Sequence, residues 1–569
     1  MSFTPATAEQ RFVLEHIARL GDISEEATPD LVEAVLEGVG QFAAGEWAPL
    51  ERLGDTDGPK WTEQGVKMPA GFADAYRAYV EGGWGTIGSP VEYGGQGLPV
   101  SLTAAVLETL GTANMGFALA PILTVGAIEA LMHHGTPEQQ ALYLPHLATG
   151  AWTGTMNLTE PQAGSDVGAL RAKAEPVGDG TFRIKGTKIF ISFGDHDMAE
   201  NIVHLVLART PDAPAGTKGL SLFLVPKYRL NADGTPGDFN DVRTVSIEHK
   251  MGLHASPTCV LSFGDHDDCI GELIGGELGG IRAMFTMMNN ARLNVGLQGV
   301  QVAERATQRA VTYARERIQG PRAGSPSREP VAIVEHPDVR RMLIRMKAQT
   351  QAARALVYYA FAQLDRARAG DAAANLRVEL LTPLAKAHAT DLGNEVASLG
   401  IQVHGGMGYI EETGAAQHFR DARITPIYEG TNGIQAADLV GRKLSMDNGG
   451  TLLALLAEMR GDAEHHDLIC LIDACEEVGR NLLASDTDDR LAASYPFLTM
   501  LSVAVCGWLM EESGRIAARS EGDPAFLRMK AAAARFYVEQ IVPEAMGLKA
   551  AAMARAAVLY AVDADAFAA

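Results

Sequence analysis

The spacing of apolar residues changes twice along this chain of 569 residues, and these changes limit the folds open to it. In the first 150 residues apolar side chains recur every three or four positions, which predicts amphipathic helices over 29–50, 71–81, 102–114 and 137–146. From about 152 to 274, short apolar or alternating runs separated by Gly, Asp and Pro predict strands, and the Asp179-Gly180 pair predicts a hairpin turn. Helical spacing then returns near residue 279. The sequence therefore predicts a multidomain α+β protein.

We place the predicted domain boundaries at these changes of pattern. An N-terminal helical domain is expected over 1–151, a central β-barrel-like domain over 152–276 and a four-helix bundle over 277–444. The break SMDNGG opens an extra C-terminal helical domain over 445–569. The length suffices for four domains that each bury a core.

An uncharged segment, the N-terminal residues and the cysteines bear on the cellular location. Residues 491–510 carry no charge and could span a bilayer, but they contain Pro496 and Gly507 and lack flanking basic clusters. We therefore predict a buried core helix there and no integral membrane segment. The first sixteen residues lack a basic segment followed by an apolar one, so no signal peptide is expected. Five cysteines without a CxxC pair favour a reducing compartment, and we predict a cytoplasmic protein.

The charge balance argues against binding to polyanions. The chain has 48 Lys and Arg against 70 Asp and Glu, a net charge of −22. Residues 445–569 alone hold nineteen acidic and ten basic residues, a net charge of −9. Nucleic-acid partners and anionic membranes are therefore not expected.

Several common catalytic motifs are absent from the sequence. It contains no GxxxxGK[ST], no HExxH, no GxSxG and no GxGxxG placed between a strand and a helix. Two Asp-His-Asp triplets, at 195–197 and 265–267, lie between predicted strands, where such residues favour turns. We predict no metal site.

Four segments carry a resemblance to a known family. They are MNLTEPQAGSD at 156–166, GTKIFIS at 186–192, IQVHGGMGY at 401–409 and IYEGTNGIQ at 427–435. In this order, and with the helix, strand, helix layout, they resemble the acyl-CoA dehydrogenase family of flavoproteins over about 1–444. The C-terminal extension resembles the long bacterial branch of that family, whose members act on 3-methylmercaptopropionyl-CoA or on fatty acyl-CoAs.

The resemblance implies an FAD-dependent oxidation of an acyl-CoA thioester to its trans-2-enoyl-CoA. A base removes a proton from the α-carbon, and a hydride passes from the β-carbon to N5 of the flavin. Turn chemistry alone would also explain the 158–165 segment, and a core aromatic would explain Phe190. The family often has Trp at the position of Phe190 and Gln at that of Gly433. The residues that the resemblance assigns to FAD are Leu158, Thr159, Ser165, Phe190, Ser192, Arg317, Gln319, Gln402, Gly405, Gly406 and Thr431.

The same resemblance assigns the substrate, the base and the partners. Ser165, Asn289, Arg292 and Gly430 would bind the acyl-CoA, and Glu429 would be the base. A helix-stabilising acidic residue is the alternative interpretation of Glu429. Glu160 and Glu411 are the next acids to test as the base.

The partners that the resemblance implies are protein chains. Arg317 and Gln319 would reach the FAD of a neighbouring subunit, which implies at least a homodimer. A dimer is expected in preference to a tetramer, because in long members of the family the C-terminal extension covers the surface that shorter relatives use to form tetramers. An electron-transferring flavoprotein would reoxidise the flavin.

Other functions on the same fold remain open from the sequence. An acyl-CoA oxidase or another flavoenzyme would share these motifs, because the motifs do not determine whether the reduced flavin reacts with oxygen. A non-catalytic DNA-binding relative is disfavoured by the acidic C-terminal region.

Overall fold

The computed structural model describes residues 3–569, except for the side chains of residues 286, 287 and 289. The chain folds as two compact units. We call them the β unit (Gly38–Leu98 and Thr109–Ala291) and the helical unit (Met1–Glu37, Pro99–Glu108 and Arg292–Ala569).

Helices occupy most of the first 150 residues, as the spacing of apolar residues predicts. Four of them overlap the segments predicted to be helical, and α6 was not predicted because it is apolar on all sides. The helices are α1 (Thr7–Phe12), α2 (Pro29–Phe42), α3 (Glu51–Thr56), α4 (Phe72–Glu81), α5 (Val100–Ala113), α6 (Met115–His134) and α7 (Pro137–Thr149).

The strands lie in the β unit, mainly in the region predicted to form them. Asp179 accepts hydrogen bonds from the backbone and hydroxyl of Thr181, so the predicted Asp-Gly hairpin is present between β4 and β5. The strands are β1 (Lys60–Thr62), β2 (Gly65–Lys67), β3 (Trp152–Asn157), β4 (Lys173–Pro176), β5 (Thr181–Ser192), β6 (Asn201–Ala208), β7 (Ser221–Pro226), β8 (Tyr228–Leu230), β9 (Pro236–Phe239), β10 (Val242–Ile247), β11 (Thr258–Phe263) and β12 (Ile270–Ile274).

The main sheet has eight strands in the order β10, β11, β5, β12, β7, β6, β3, with β4 also paired to β5. Its pairs are antiparallel except for β3 and β6, which run parallel. Strands β6 and β7 are buried on both faces, which explains their continuous apolar sequences. Helices α6 and α7 pack on one of these faces. Although β3 and β5 are not neighbours in this order, the segment that follows β3 lies beside the carboxyl end of β5, because the N–H of Ile189 donates to the carbonyl oxygen of Thr159 at 2.9 Å.

Helices form most of the region after residue 279, and a loop at 317–332 follows the first of them. The two long helices Gly280–Glu316 and Ala372–His404 approach closely at Gly299. A Cβ at this position would lie 2.1 Å from the carbonyl oxygen of Ala389, so only glycine fits there. The helices are α8 (Gly280–Glu316), α9 (Pro337–Arg368), α10 (Ala372–His404), α11 (Ala415–Ala422), α12 (Asn432–Asp438), α13 (Gly450–Asp462), α14 (His466–Ala484), α15 (Thr487–Ala492), α16 (Ser494–Ala517), α17 (Pro524–Phe536), α18 (Val542–Met546) and α19 (Lys549–Ala552).

The C-terminal extension packs within the helical unit. Helix α16 contains most of the apolar run at 491–510, and Leu498 and Leu501 in it are fully buried, as predicted for a core helix. Lys530 of α17 is also buried and forms a 2.5 Å ion pair with Glu9. The extension therefore shares its core with the helices that precede it.

One helix in the described part of the chain, α6, has the length and apolar composition needed to cross a membrane. Of its most apolar stretch, 78% is buried inside the protein. Burial of this kind is typical of a core helix.

Candidate active site

In the β unit, a buried lysine joins the two segments assigned to the flavin. The ammonium of Lys188 lies 2.8 Å from the carboxylate of Glu160 and donates a 3.0 Å hydrogen bond to the carbonyl oxygen of Leu158. The backbone N–H of Ile189 donates to the carbonyl oxygen of Thr159 at 2.9 Å. The 156–166 and 186–192 segments are therefore held side by side. The sequence analysis missed Lys188, because its partners lie about thirty residues away.

This ion pair also explains why Glu160 is unsuited to act as a base. Its carboxylate accepts hydrogen bonds from the N–H groups of Arg171 and Ala172 in addition to Lys188. Burial alone would raise the pKa of Glu160, but the Lys188 charge and these hydrogen bonds outweigh it and lower the pKa. Burial lowers the pKa of Lys188 to about 8, so the pair is ionised at neutral pH.

A β-bulge turns Phe190 outwards from the sheet. Residues 189 and 190 of β5 together face a single residue of β11, and Phe190 has a φ of 60°. Its side chain is 59% exposed, whereas the neighbouring Ile191 is buried. The core interpretation of Phe190 is therefore wrong. The ring is therefore available to contact a bound molecule.

The two segments also carry three side-chain hydroxyl groups, those of Thr159, Ser165 and Ser192. Ser165 is exposed, while Thr159 and Ser192 are half-buried. Within residues 3–569 the structure gives these three side chains no hydrogen-bond partner. They can therefore donate to and accept from a bound molecule.

In the helical unit, Glu429 lies in a strained loop before α12. Its φ is 56°, which is unusual for a residue with a side chain, and Gly430 follows with a φ of 84°. Thr431 then caps α12, since its hydroxyl accepts from the N–H of Ile434 at 3.1 Å. A backbone with two consecutive positive φ angles persists only where surrounding contacts hold it. The Glu429 side chain therefore extends from a backbone of fixed conformation.

The Glu429 carboxylate is partly buried and has no hydrogen-bond partner among the described residues. Burial raises the pKa of Glu429 to about 6, although the charges of Arg292 and Lys386 act to lower it. A carboxylate whose pKa lies near neutral pH suits a general base.

Arg292, on α8, is a buried cation next to this loop. Its side chain is 5% exposed, and a nitrogen of its guanidinium lies 3.7 Å from the Asp438 carboxylate. In the described structure, Nε and Nη1 of Arg292 have no hydrogen-bond acceptor. Buried donors without acceptors fit an anionic or carbonyl group of a ligand.

A second buried cation near Glu429 was not predicted from the sequence. Lys386 on α10 is fully buried and donates a 2.9 Å hydrogen bond to Oδ1 of Asn432, the first residue of α12. Burial lowers the pKa of Lys386 to about 7, against the charges of Glu429 and Asp391. Its position on an apolar stretch of α10 gave no sign that it faces the loop of Glu429.

The residues assigned to the far end of FAD lie at the surface of the helical unit. Arg317 and Gln319 follow the end of α8, are exposed and contact each other at 3.1 Å. Gln402, Gly405 and Gly406 are exposed where α10 ends. These groups are accessible to a ligand or another chain.

Three further residues remain, two assigned to the substrate and one considered as an alternative base. Asn289 lies outside the described side chains. Gly430 is partly buried beside Gln435, whose Nε2 would lie 2.8 Å from a Cβ at that position. Glu411 is an exposed surface acid that pairs with Arg420 at 2.8 Å.

The residues present fit FAD. A Cβ built at Gly164, Gly405 or Gly406 would meet no atom within 4 Å, so the backbone there is open to a flat ring or a phosphate. The exposed Phe190 ring offers an apolar surface, and the three hydroxyls offer polar contacts to a ring edge.

Four protein-family models match consecutive parts of the chain. They are the N-terminal domain of acyl-CoA dehydrogenase at residues 30–151, the middle domain at 155–266 and the C-terminal domain at 279–444. A model described as acetyl-CoA dehydrogenase C-terminal like matches residues 463–563.

Individual relatives match over nearly the whole chain. The 3-methylmercaptopropionyl-CoA dehydrogenase of Ruegeria pomeroyi is 44% identical over 96% of this chain and 97% of that protein. A butyryl-CoA dehydrogenase of Syntrophomonas wolfei is 37% identical over 88% of this chain and 87% of that protein. The structure of an acyl-CoA dehydrogenase complexed with FAD from Bacillus anthracis is similar in fold, with a TM-score of 0.74, 22% identity and coverage of 95% and 90% of the two chains.

Proposed function

This chain belongs to the acyl-CoA dehydrogenase family, and we propose that its substrate is 3-methylmercaptopropionyl-CoA. The chain is an FAD-dependent oxidoreductase that acts on the CH–CH group of an acyl-CoA thioester. The observation that carries the substrate proposal is the similarity to the Ruegeria enzyme, which extends through the C-terminal extension. Butyryl-CoA is the second candidate, because the Syntrophomonas enzyme is also similar over most of the chain.

We propose that Glu429 removes the α-proton of the bound thioester. No described residue forms a hydrogen bond with its carboxylate, and burial raises its pKa to about 6, so the carboxylate is both available and basic at neutral pH. The proton moves from the α-carbon to a carboxylate oxygen of Glu429. When bound, FAD supplies the acceptor for the hydride that leaves the β-carbon.

Arg292 and Gly430 would act on the substrate in the helical unit. The guanidinium nitrogens of Arg292 that have no hydrogen-bond acceptor among the described residues suit a negatively charged or carbonyl oxygen. The positive φ at Glu429 and Gly430 fixes the direction in which the carboxylate approaches the α-carbon. Asn289 keeps the substrate role that the family resemblance implies.

We propose that Leu158, Thr159, Ser165, Phe190 and Ser192 bind the flavin ring and the adjoining part of the substrate. The open backbone at Gly164 and the exposed ring of Phe190 support this assignment. Arg317, Gln319, Gln402, Gly405, Gly406 and Thr431 would bind the remainder of FAD.

We propose that the protein is a homodimer. Arg317 and Gln319 are exposed and lie past the end of α8, as expected of residues that reach the FAD of a neighbouring subunit. A guanidinium would form strong charge-assisted bonds with the pyrophosphate. A tetramer is the less favoured alternative, since the extension covers part of the helical unit.

We propose an electron-transferring flavoprotein as the electron acceptor and the cytoplasm as the location. The acidic surface, with a net charge of −22, favours a carrier with a basic docking face. The five cysteines are all free in the structure, which suits a reducing compartment. Fast release of peroxide by the reduced enzyme in air-saturated buffer would favour an acyl-CoA oxidase instead.

The experiment that tests the substrate is bleaching of the oxidised flavin under anaerobic conditions. The panel contains 3-methylmercaptopropionyl-CoA, butyryl-CoA, octanoyl-CoA and palmitoyl-CoA, and the readout is the rate constant of flavin reduction divided by the apparent Kd. The proposal expects 3-methylmercaptopropionyl-CoA to give the highest value. A higher value for either long chain would overturn it, and a higher value for butyryl-CoA would select the second candidate.

A further inference from the structure

A chain of hydrogen bonds runs from the C-terminal extension to the loop of the base. The hydroxyl of Tyr495, on α16, donates to Oδ2 of Asp391 at 2.6 Å. The other oxygen of Asp391 accepts from Nδ2 of Asn432 at 2.8 Å. Oδ1 of Asn432 in turn accepts from the ammonium of Lys386 at 2.9 Å. All four residues lie in the helical unit.

The chemistry of the two ends decides the orientation of Asn432. An ionised carboxylate only accepts hydrogen bonds and an ammonium only donates them. The amide of Asn432 therefore has its nitrogen towards Asp391 and its oxygen towards Lys386. Its nitrogen also faces the Ala387 carbonyl and the Thr390 hydroxyl at 3.1 and 3.0 Å, so the side chain is held on several sides.

Asn432 connects this chain to the base through the backbone. It is the first residue of α12 and lies three positions after Glu429, with the capping Thr431 between them. The backbone N–H of Asn432 donates to the carbonyl of Pro426 at 2.9 Å, which closes the loop that carries Glu429. A movement of Asn432 would therefore move the strained loop.

Lys386 connects the chain to the base through its charge. The charged groups that face Lys386 are Glu429, Asp391 and Arg292. Those that face Glu429 are Arg292 and Lys386, and those that face Asp391 are Lys386 and Arg423. Because Lys386 is fully buried, the position of its ammonium depends on Asn432 rather than on solvent.

We propose that Tyr495, on the C-terminal extension, is a positioning residue for the catalytic base. Through Asp391 and Asn432 it fixes both the loop of Glu429 and the ammonium of Lys386 beside it. This role rests on the proposed function, in which Glu429 is the base. It gives the extension a part in the reaction that its sequence alone does not reveal.

The test is Tyr495→Phe, which removes the hydroxyl and keeps the ring. We expect flavin reduction at saturating substrate to slow by about tenfold, since small displacements of reacting groups cost up to about 10²-fold. The apparent Kd for substrate should be unchanged. The acid limb of the pH profile should move to higher pH, because a displaced Lys386 ammonium stabilises the Glu429 carboxylate less.

The matched control is Tyr560→Phe, since Tyr560 is a 73% exposed tyrosine of the same extension with no hydrogen bond through its hydroxyl in the described structure. It should keep the wild-type rate and pH profile. A Tyr495→Phe enzyme that loses thermal stability but keeps both readouts would show a merely structural role and overturn the proposal.

A second variant, Asp391→Asn, tests the chain itself. Tyr495→Phe should have little further effect in the Asp391→Asn background, because both changes break the same connection. Independent, multiplying effects would contradict the proposal. Glu429→Gln separates the two levels of inference: an active Glu429→Gln enzyme refutes the base assignment, whereas an inactive one beside an unaltered Tyr495→Phe enzyme refutes only the role of Tyr495.

Discussion

The ammonium of Lys188 and the carboxylate of Glu160 form a buried ion pair of 2.8 Å in the β unit. The two side chains are 0% and 4% exposed. The pair joins the ends of β3 and β5, and it leaves Glu160 without a free lone pair for proton abstraction. Of the three acids considered as the base, Glu160 and Glu411 each have a partner at hydrogen-bond distance, whereas the Glu429 carboxylate has none among the described residues.

Loss of Lys188 should destabilise the β unit and weaken FAD binding. Lys188→Met leaves the Glu160 carboxylate buried and unpaired, which costs about 3–5 kcal/mol. We expect a lower thermal midpoint and a lower ratio of FAD to protein after gel filtration. The double variant Lys188→Met/Glu160→Gln should regain much of the stability, and equal midpoints for the single and double variants would argue against a shared ion pair.

Replacement of Glu429 should stop flavin reduction without loss of the cofactor. Glu429→Gln keeps the size of the side chain but removes the basic carboxylate, so the rate constant should fall by roughly 10²–10⁴-fold. Anaerobic stopped-flow absorbance measures it, and the enzyme should remain yellow. Glu411→Gln is the control, since Glu411 is half exposed and paired with Arg420, and it should reduce its flavin at the wild-type rate.

The rate of flavin reduction should depend on pH through Glu429. The pKa of Glu429 is raised to about 6, so the carboxyl becomes protonated and the rate falls as the pH drops through that value. Arg292→Met removes a charge that lowers this pKa, and its acid limb should lie at higher pH. Arg292→Lys retains the charge and should stay close to the wild type. An Arg292→Met profile at lower pH than the wild type would contradict this assignment.

Phe190 should contribute to FAD affinity and little to stability. Its ring is 59% exposed, so Phe190→Ala removes almost no packing. Loss of an aromatic contact of about 0.5–1.5 kcal/mol should weaken FAD binding by roughly 2- to 12-fold, as measured by titration of the apoprotein. Phe190→Trp should bind FAD at least as tightly as the wild type. Unchanged affinity in the Ala variant would remove Phe190 from the flavin site.

Arg317 should couple FAD binding to association of the subunits. Arg317→Ala removes a charge-assisted contact to the pyrophosphate of a neighbour's FAD, so FAD should dissociate faster while the isolated fold is retained. Light scattering with and without added FAD measures the mass. A monomer that retains FAD would contradict both the dimer and the role of Arg317.

The sequence by itself determined the order of helical and strand regions and pointed to the segment that carries the proposed base. Apolar residues spaced three or four apart predicted α4 and α7, and the Asp179-Gly180 pair predicted the hairpin into β5. Such patterns involve residues that are close together in the chain, so they can be recognised from the sequence without knowledge of the fold. The spacing around α6 was uninformative, because a helix buried on all sides has no polar face.

Only the tertiary structure determined the burial and the pKa shifts of the charged residues around Lys188 in the β unit and around Glu429 in the helical unit. The sequence around Lys188 and Lys386 does not reveal their polar partners, yet both lysines are fully buried. Their partners, Glu160 and Asn432, lie 28 and 46 residues away in the chain. The energy of a buried charge depends on the distances and solvent exclusion that packing creates, and these properties have no local signature in the sequence. For the same reason the raised pKa of Glu429 became visible only once the helices around it were in place.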